Sequence, residues 1–415
     1  MALSLLQKLE ILADAAKYDA SCASSGGTKR NARSGGIGSI TGAGICHAYT
    51  PDGRCISLLK ILLTNFCIYD CAYCVSRRSS NVRRARFSVE EVVQLTLDLY
   101  KRNCIEGLFL SSGIARSEDD TLADLVRVAK TLRDDHGFRG YIHLKTIPGA
   151  NSDLILEAGR YADRLSLNVE LARDEALAQF APEKSAASIR QGLATTRAGI
   201  DNIVVNAKSA RGVQGRVKPP RFAPAGQSTQ LIVGADGAAD AEIIKSSAML
   251  YASYRLRRVY YSAFSPTGHS TDRLPSAAVP LLREHRLYQT DWLLRIYGFS
   301  LDEVVAAMPG GMLDLSIDPK TAWALAHRDR FPVDINKADR DMLLRVPGLG
   351  TRSVQRILAS RRSGALRLGD LARLTGALIR ARPFVIVADW HPGATLDSAH
   401  LANLIRPKPA QLALF

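Results

Sequence analysis

The chain has 415 residues, more than one typical hydrophobic core accommodates, which predicts two or three domains. It contains no apolar run near the roughly 20 residues of a membrane-spanning helix, so a membrane protein is not expected. Lys and Arg number 55 against 40 Asp and Glu, a net charge of +15 that favours a polyanionic partner, most simply a nucleic acid.

The first 50 residues predict a helix followed by a basic arm. Leu5, Leu6, Leu9 and Leu12 recur at helical spacing among charged residues, which indicates an amphipathic helix rather than a signal peptide. Residues 18–50 are rich in Gly and Ser and read as an irregular arm. We therefore expect a cytoplasmic protein, in a compartment where thiolates stay reduced.

Strands and helices alternate between residues 51 and 270. The predicted strands are 56–63, 107–110, 141–145, 164–169, 230–233 and 259–263. This alternation predicts an α/β fold with a parallel sheet, closed into a partial TIM-like barrel of six strands. Residues 203–205 form a short apolar run that the pattern does not place. Ligand sites in such barrels lie at the carboxyl ends of the strands.

A cysteine motif follows the first predicted strand. Cys67, Cys71 and Cys74 have the spacing C-x3-C-x2-C, with Tyr73 directly before the last cysteine. A structural zinc site is the alternative, but it needs four ligands, usually in pairs, and no second pair is evident. The motif resembles the signature of the radical S-adenosylmethionine (SAM) enzymes.

That resemblance implies a [4Fe-4S] cluster whose three irons are held by the three cysteine thiolates. The fourth iron would bind the amino and carboxylate groups of SAM, which is cleaved to a 5′-deoxyadenosyl radical. Carried over by position, the other SAM contacts would be Tyr73 near the adenine, Ser111, Ser112 and Gly113 after the second strand, Asn168 and Glu170 after the fourth, and Gly234 after the fifth. The stretch at 111–113 lacks the Glu of the family's usual Gly-Gly-Glu.

Two further groups allow more than one interpretation. Cys22, Cys46, Cys55 and Cys104 are either buried thiols or, for Cys46 and Cys55, part of a second metal site. The arginines at 77, 78, 83, 84 and 86, and the basic loop at 208–227, either bind phosphates or are solvated surface charge.

Residues 271–330 read as a helical connector, and residues 331–392 as an all-α module. Asn336 is a candidate N-cap, and the turn from Val346 to Gly350 carries two glycines. The pattern resembles a helix-hairpin-helix, which implies DNA-backbone binding through Gly348, Gly350, Arg352 and Arg356. The alternative is that the glycines only turn a helix pair. From residue 331 onward there are 13 basic and 6 acidic residues.

The tail, residues 393–415, ends in a peptide that resembles the bacterial sliding-clamp motif, with Gln411, Leu412, Leu414 and Phe415 as the anchors. Taken together, the motifs resemble the DNA modification or repair radical SAM proteins linked with uracil-DNA-glycosylase-like partners. This implies a nucleoid-associated enzyme that acts on a nucleobase or deoxyribose. The alternatives are a radical SAM enzyme that modifies RNA such as tRNA, and a non-enzymatic iron–sulfur DNA-binding protein. The sequence nominates no catalytic residue.

Overall fold

The computed structural model describes residues 3–17, 44–49, 55–209, 221–266 and 273–406. The chain divides into two compact units. The first consists of Met1–Ala238 with Met249–Val279, and the second of Ala239–Ala248 with Pro280–Phe415. Within the described ranges, no helix has the length and apolar character needed to cross a bilayer.

The first unit is built on a seven-stranded sheet in which spatial order follows chain order. Its strands are β1 Ile45–Tyr49, β2 Cys55–Leu62, β3 Gly107–Ser111, β4 Tyr141–Lys145, β5 Arg164–Ser166, β6 Gln227–Val233 and β7 Arg258–Ala263. Strands β2 to β7 are parallel and curl into a half-barrel, which confirms the six predicted strands. Strand β1, which the sequence did not predict, pairs antiparallel with β2.

Helices alternate with these strands: α1 Leu5–Ala16, α2 Val89–Lys101, α3 Glu118–Asp134, α4 Ser152–Tyr161, α5 Asp174–Phe180, α6 Ala186–Ser209 and α7 Asp240–Tyr254. Residues 240–248 of α7 are counted with the second unit. The predicted N-terminal helix is confirmed as α1, which starts at a Ser4 capping box and is tied to α2 by an ion pair between Lys8 and Glu91 at 2.7 Å. The unplaced run at 203–205 lies inside α6 and is helical.

The two faces of the sheet differ in chemistry because side chains alternate along each strand. On the face toward the helices, Leu108, Leu110 and Ile142 are fully buried. On the face that lines the half-barrel, the register places Lys60 beside Phe109 and Phe109 beside His143. The interior of the half-barrel therefore carries polar side chains such as Lys60 and His143 beside a buried apolar cluster that includes Leu58 and Phe109.

The second unit is mainly helical, with α8 Leu281–Arg295, α9 Leu301–Ala306, α10 Pro319–Ala326, α11 Arg340–Arg345, α12 Thr351–Ser360, α13 Leu368–Leu374, α14 Leu378–Ala381 and α15 Leu401–Ile405. The expectation of an all-α module at 331–392 is wrong in one respect. Two short strands, β8 Val333–Asp334 and β9 Val385–Ile386, pair in parallel and join the two ends of the module.

The predicted N-cap at Asn336 is also wrong. Helix α11 starts three residues later, where the Asp339 side chain accepts a hydrogen bond from the Met342 amide. Asn336 instead exchanges hydrogen bonds with the backbone of Leu366, at 3.1 and 2.7 Å. Its amide group is used in a contact 30 residues away, so it is not available to cap a helix.

Lys320 is a buried cation beneath the turn between α11 and α12. Its ammonium donates hydrogen bonds to the carbonyl of Leu344, at 3.1 Å, and to that of Leu349. Burial lowers the pKa of Lys320 from 10.5 to about 7. The nearby Asp318 raises this pKa, and Arg380 lowers it further. The unfolded chain therefore binds a proton that the folded chain releases between about pH 7 and 10.5.

We expect the free energy of unfolding of this unit to rise with pH across that window, by at most about 5 kcal/mol from Lys320, because its folded-state pKa is the lower one. Below pH 7 both states are protonated and this gain is absent. Denaturant unfolding at pH 7 and pH 9.5, followed by tryptophan fluorescence, measures it. The rise should flatten in Lys320→Met and persist in Lys337→Met, whose side chain is 85% exposed. Equal slopes in both variants would contradict the assignment.

Candidate cofactor and nucleic-acid sites

The three motif cysteines lie on one loop, residues 63–88, which joins β2 to α2 and is called the cysteine loop below. Cys71 is buried, whereas Cys67 and Cys74 are half-buried. The amide of Cys74 donates to the Cys71 carbonyl at 2.9 Å, which closes a tight turn. Backbone hydrogen bonds to Ile114 and Phe180, both at 2.7 Å, hold the loop against the carboxyl ends of the strands.

The chemistry of this donor set fits an iron–sulfur cluster. Each thiolate of a three-cysteine site binds a different iron, so the sulfurs lie farther apart than the ligands of a single ion. Among the described residues, no group of three or more His, Cys, Asp and Glu side chains is placed to hold a single metal ion. Burial raises the pKa of Cys71 to about 12 and raises that of Cys74, so iron has to displace thiol protons on binding.

A charged pair lies beside the cysteines. The Lys184 ammonium is 2.6 Å from the Glu170 carboxylate, and it donates to the Tyr73 hydroxyl at 3.4 Å. Burial lowers the pKa of Lys184, but Glu170, Tyr73 and Cys71 raise it by more, so the pKa is well above its usual value. Lys184 therefore stays protonated beside the cysteine loop. The sequence analysis did not predict Lys184.

Asn168 and Glu170 meet at the end of β5, as predicted. The Asn168 amide donates to Glu170 at 3.3 Å and to Gln230 at 3.4 Å. Glu170 has a φ of 72°, and its backbone exchanges hydrogen bonds with Gln230 and Ile232 of β6, which hold this uncommon conformation. The structure brings these side chains together with Tyr73, and their contacts with SAM stay a prediction.

Residues 111–113 lie against the cysteine loop. The Gly113 amide donates to the Thr64 carbonyl at 2.7 Å, and a Cβ at Gly113 would collide with the carbonyl of Phe66. Ser111 is buried, and the Ser112 hydroxyl donates to the Gly113 carbonyl. Gly234 follows β6 with a φ of 76°, which favours glycine. Gly113 is thus required for the approach of two chain segments, and the predicted SAM contacts of this group remain untested.

At least two of the five arginines after the motif, Arg77 and Arg84, bind backbone carbonyls of the cysteine loop instead of being free to bind phosphate. The Arg84 guanidinium donates to the carbonyls of Asn65, Ser76, Arg77 and Ser80, at 2.6 to 3.0 Å for the last three. Arg77 is buried and donates to the Ala72 carbonyl at 3.0 Å. Arg84 therefore joins the start of the cysteine loop to its far side.

We expect Arg84→Gln to weaken cluster retention by about tenfold, because several charge-assisted hydrogen bonds to the loop are lost. Iron content after anaerobic desalting, together with the electron paramagnetic resonance spectrum of the reduced protein, measures this. Arg83→Gln is the matched control, since the Arg83 side chain is exposed and its backbone carbonyl, which the substitution leaves in place, accepts the hydrogen bond from the Asn65 amide. Equal iron content in both variants would contradict the role of Arg84.

The other cysteines show no second metal site in the part of the chain that the structure describes. Cys46 is buried in β1 opposite Leu58, whereas Cys55 is exposed and pairs with Tyr49 at the other end of the ladder. Cys104 is exposed, and Cys22 lies outside the described residues. Residues 210–220 of the basic loop also lie outside them, as do the tail anchors Gln411, Leu412, Leu414 and Phe415.

In the second unit, α11 and α12 form a hairpin around the two predicted glycines. Gly348 has a φ of 78° and packs on Ala377. Gly350 caps α12, no side chain caps the first amides of that helix, and a Cβ at Gly350 would meet only the Tyr297 hydroxyl at 3.5 Å. The first amides of α12 are therefore open to an anion.

The arginines of the hairpin divide into two groups. Arg352 and Arg356 are exposed on α12. Arg345 instead forms a two-bond ion pair with Glu303, at 3.0 and 2.8 Å, and Arg361 donates to the carbonyls of residues 335 and 338. Arg352 and Arg356 of α12 are thus exposed to an outside ligand, as is Arg340 at the start of α11.

Comparisons with known proteins address the first unit. The family model of the radical SAM superfamily matches residues 61–207, which include the cysteine loop, Asn168, Glu170 and Lys184. No curated protein matches the chain.

Several solved structures match with low similarity. The FeFe-hydrogenase maturase HydG has a TM-score of 0.40 and 13% identity over 57% of this chain and 49% of that one. HydG from Carboxydothermus hydrogenoformans has a TM-score of 0.39 and 17% identity over 55% and 48%. Coproporphyrinogen III oxidase (HemN) from Escherichia coli, a radical SAM enzyme, has a TM-score of 0.33 and 13% identity over 55% and 50%. The chain spans about half the length of these structures.

The family match and the fold agree on the first unit. A half-barrel of parallel strands carries a three-cysteine loop at the carboxyl ends of its strands, where such barrels bind their ligands. The chain therefore contains a radical SAM superfamily domain, and that superfamily uses a [4Fe-4S] cluster and S-adenosylmethionine as cofactors.

Proposed function

We propose that this enzyme acts on DNA and modifies or repairs a nucleobase or deoxyribose. The observation that carries the proposal is the hairpin of α11 and α12, with uncapped amides at the start of α12, an open approach at Gly350, and exposed Arg352 and Arg356. Amides at a helix start bind phosphate without reading the bases, and nearby arginines add charge contacts. The hairpin thereby acts as a helix-hairpin-helix.

The charge of the chain supports the same partner. A net charge of +15, with 13 basic against 6 acidic residues after residue 330, favours a polyanion over a neutral substrate. Binding to the backbone leaves the choice of base to the half-barrel. A base inside a duplex is out of reach, so the target nucleotide has to be flipped or unpaired.

When bound, the cluster and SAM supply a 5′-deoxyadenosyl radical, and hydrogen abstraction from a damaged base is the reaction that we favour. Arg84 holds the cysteine loop through hydrogen bonds to its carbonyls, and the Lys184–Glu170 pair lies beside that loop. Because the domain belongs to a superfamily of enzymes, a purely structural iron–sulfur role is not retained.

Two partners complete the proposal. The tail peptide with Gln411, Leu412, Leu414 and Phe415 would dock on the sliding clamp, and a uracil-DNA-glycosylase-like protein would act on the same lesions. Both fit an enzyme that works in the cytoplasm on nucleoid DNA.

Anaerobic incubation of the cluster-loaded protein with SAM, reductant and damaged DNA, followed by mass spectrometry of the nucleosides, tests the proposal. We expect a new or repaired deoxynucleoside that forms only when SAM and reductant are both present. A parallel incubation with tRNA tests whether RNA, the alternative substrate class, is modified instead. A modified ribonucleoside together with unchanged DNA would overturn the DNA assignment.

A further inference from the structure

The segment between α5 and α6 is fastened to the cysteine loop. The Ala72 amide of the loop donates a hydrogen bond to the Phe180 carbonyl at 2.7 Å. The Asp70 amide donates to the Glu183 carboxylate at 3.0 Å. Lys184 is the next residue along the chain. These two contacts therefore fix the backbone of Lys184 relative to the loop that carries the motif cysteines.

The side chain of Lys184 places a cation beside the loop, away from bulk water. It is 13% exposed, and the Glu170 side chain with which it pairs at 2.6 Å is 9% exposed. Its ammonium also donates to the Tyr73 hydroxyl at 3.4 Å and lies 5.7 Å from the centre of the Tyr73 ring. Charges at this depth are screened less than surface charges, so they act over longer distances.

The buried motif thiols are influenced more by the cation of this pair than by its anion. Burial has the largest effect on the pKa of Cys71 and raises it to about 12. Lys184 lowers that pKa by more than Glu170 raises it. Burial also raises the pKa of Cys74, and there again the lowering by Lys184 exceeds the raising by Glu170. The pair as a whole therefore favours negative charge at these sulfurs, although its formal charge is zero.

Reduction of a [4Fe-4S] cluster also adds negative charge at its thiolate-bound centre. A positive charge held nearby stabilises the reduced state more than the oxidised one, which raises the reduction potential. Net charge, hydrogen bonds to the sulfurs and solvent exposure are the means by which a protein sets this potential. A cation that favours thiolate over thiol thus favours the reduced cluster over the oxidised one.

We infer that Lys184, without being a ligand, raises the reduction potential of the cluster and so makes the electron transfer that precedes SAM cleavage easier. Lys184 is a positioning residue in this role, since it acts through the cluster, and Glu170 opposes it. The step is a one-electron reduction in which no bond forms or breaks, and dithionite supplies the electron in vitro. The inference goes beyond the proposed function, because it holds for any substrate.

Redox titration of the cluster-loaded protein with dithionite, followed by electron paramagnetic resonance, tests the inference. SAM is left out, so that altered SAM binding cannot shift the midpoint potential. At a given potential we expect Lys184→Met to lower the ratio of reduced to oxidised cluster at least about tenfold, which is about 59 mV for a one-electron couple. Lys184→Arg should keep the parent midpoint. Lys130→Met is the matched control, because Lys130 is an exposed residue of α3 that pairs with Glu157.

Glu170→Gln provides a test of opposite sign. It removes the negative charge of the pair, keeps the size of the side chain and leaves Lys184 in place. The midpoint potential should therefore rise in this variant, whereas it falls in Lys184→Met. Damage to the packing of the site would shift both variants in the same direction, so the two signs together distinguish charge from structure.

Two results would overturn the inference. One is an unchanged midpoint in Lys184→Met at iron and sulfide contents equal to those of the parent protein. The other is a shift of the same sign in Lys184→Met and Glu170→Gln. If Lys184→Met fails to hold a cluster, Glu170→Gln decides, because an unchanged or lower midpoint there contradicts the inference and a higher one supports it. The titration contains no nucleic acid, so its result is independent of the nucleoside analysis that tests the proposed function.

Discussion

Replacing any one of Cys67, Cys71 or Cys74 with Ser is expected to remove the cluster and to reduce SAM cleavage to background. In the predicted cluster each thiolate would hold one iron, and a serine hydroxyl is a poor ligand for iron at neutral pH. The loss should exceed the roughly 10–100-fold cost of removing a residue that only hydrogen-bonds a metal ligand. Iron and sulfide content per chain and the yield of 5′-deoxyadenosine measure it.

Cys104→Ser is the matched control for these variants. Cys104 is exposed, and its thiol contacts only the Arg102 carbonyl, at 3.7 Å, within the described residues. We expect full iron content and full cleavage in this variant. A motif variant that retains a complete cluster would show that the thiolate concerned is not a ligand. Loss of the cluster in the Cys104 variant would show instead that iron loading is sensitive to any change of thiol.

The strands that sequence patterns predicted are those with buried apolar runs. β3 and β4 are strands of the half-barrel that are largely buried, and their leucines and isoleucines identify them as strands in the sequence. The start of β6 escaped prediction because Gln227, Ser228 and Thr229 are polar, although they lie in a strand. These three residues are fully buried although they are polar, and Gln227 donates to the carbonyls of Leu193 and Tyr254, so hydrophobicity could not identify them. β1 has only five residues and follows a Gly/Ser-rich stretch, so its alternating pattern of side chains was too short to predict a strand.

The site was predictable where a motif has fixed spacing and not where partners lie far apart in sequence. The three cysteines lie within eight residues, so their grouping could be read directly. Lys184 lies 110 positions after Cys74 and joins the site only through the fold. Arg84 was one of five arginines with the same local appearance. Its partners are backbone carbonyls, which no sequence pattern specifies.

The double variant Arg352→Glu/Arg356→Glu is expected to weaken binding to duplex DNA by about a hundredfold and to reduce the dependence of affinity on salt. Each phosphate contact contributes about 0.9 to the slope of log affinity against log salt, so the loss of two contacts lowers the slope by about 1.8. Charge reversal adds repulsion between α12 and the phosphates. Fluorescence anisotropy with a labelled duplex at several salt concentrations measures both quantities.

The double variant Lys337→Glu/Arg373→Glu is the control that distinguishes an effect of the hairpin arginines from an effect of the protein's net charge. Both side chains belong to the same module and are 85% and 84% exposed, and the two double variants change the total charge equally. If the hairpin binds the backbone, the control keeps most of its affinity and its salt slope. Equal losses of affinity in the two double variants would show that DNA binding depends on the basic surface as a whole and not on the hairpin. SAM cleavage without DNA should be unchanged in both, because the cysteine loop lies in the other unit.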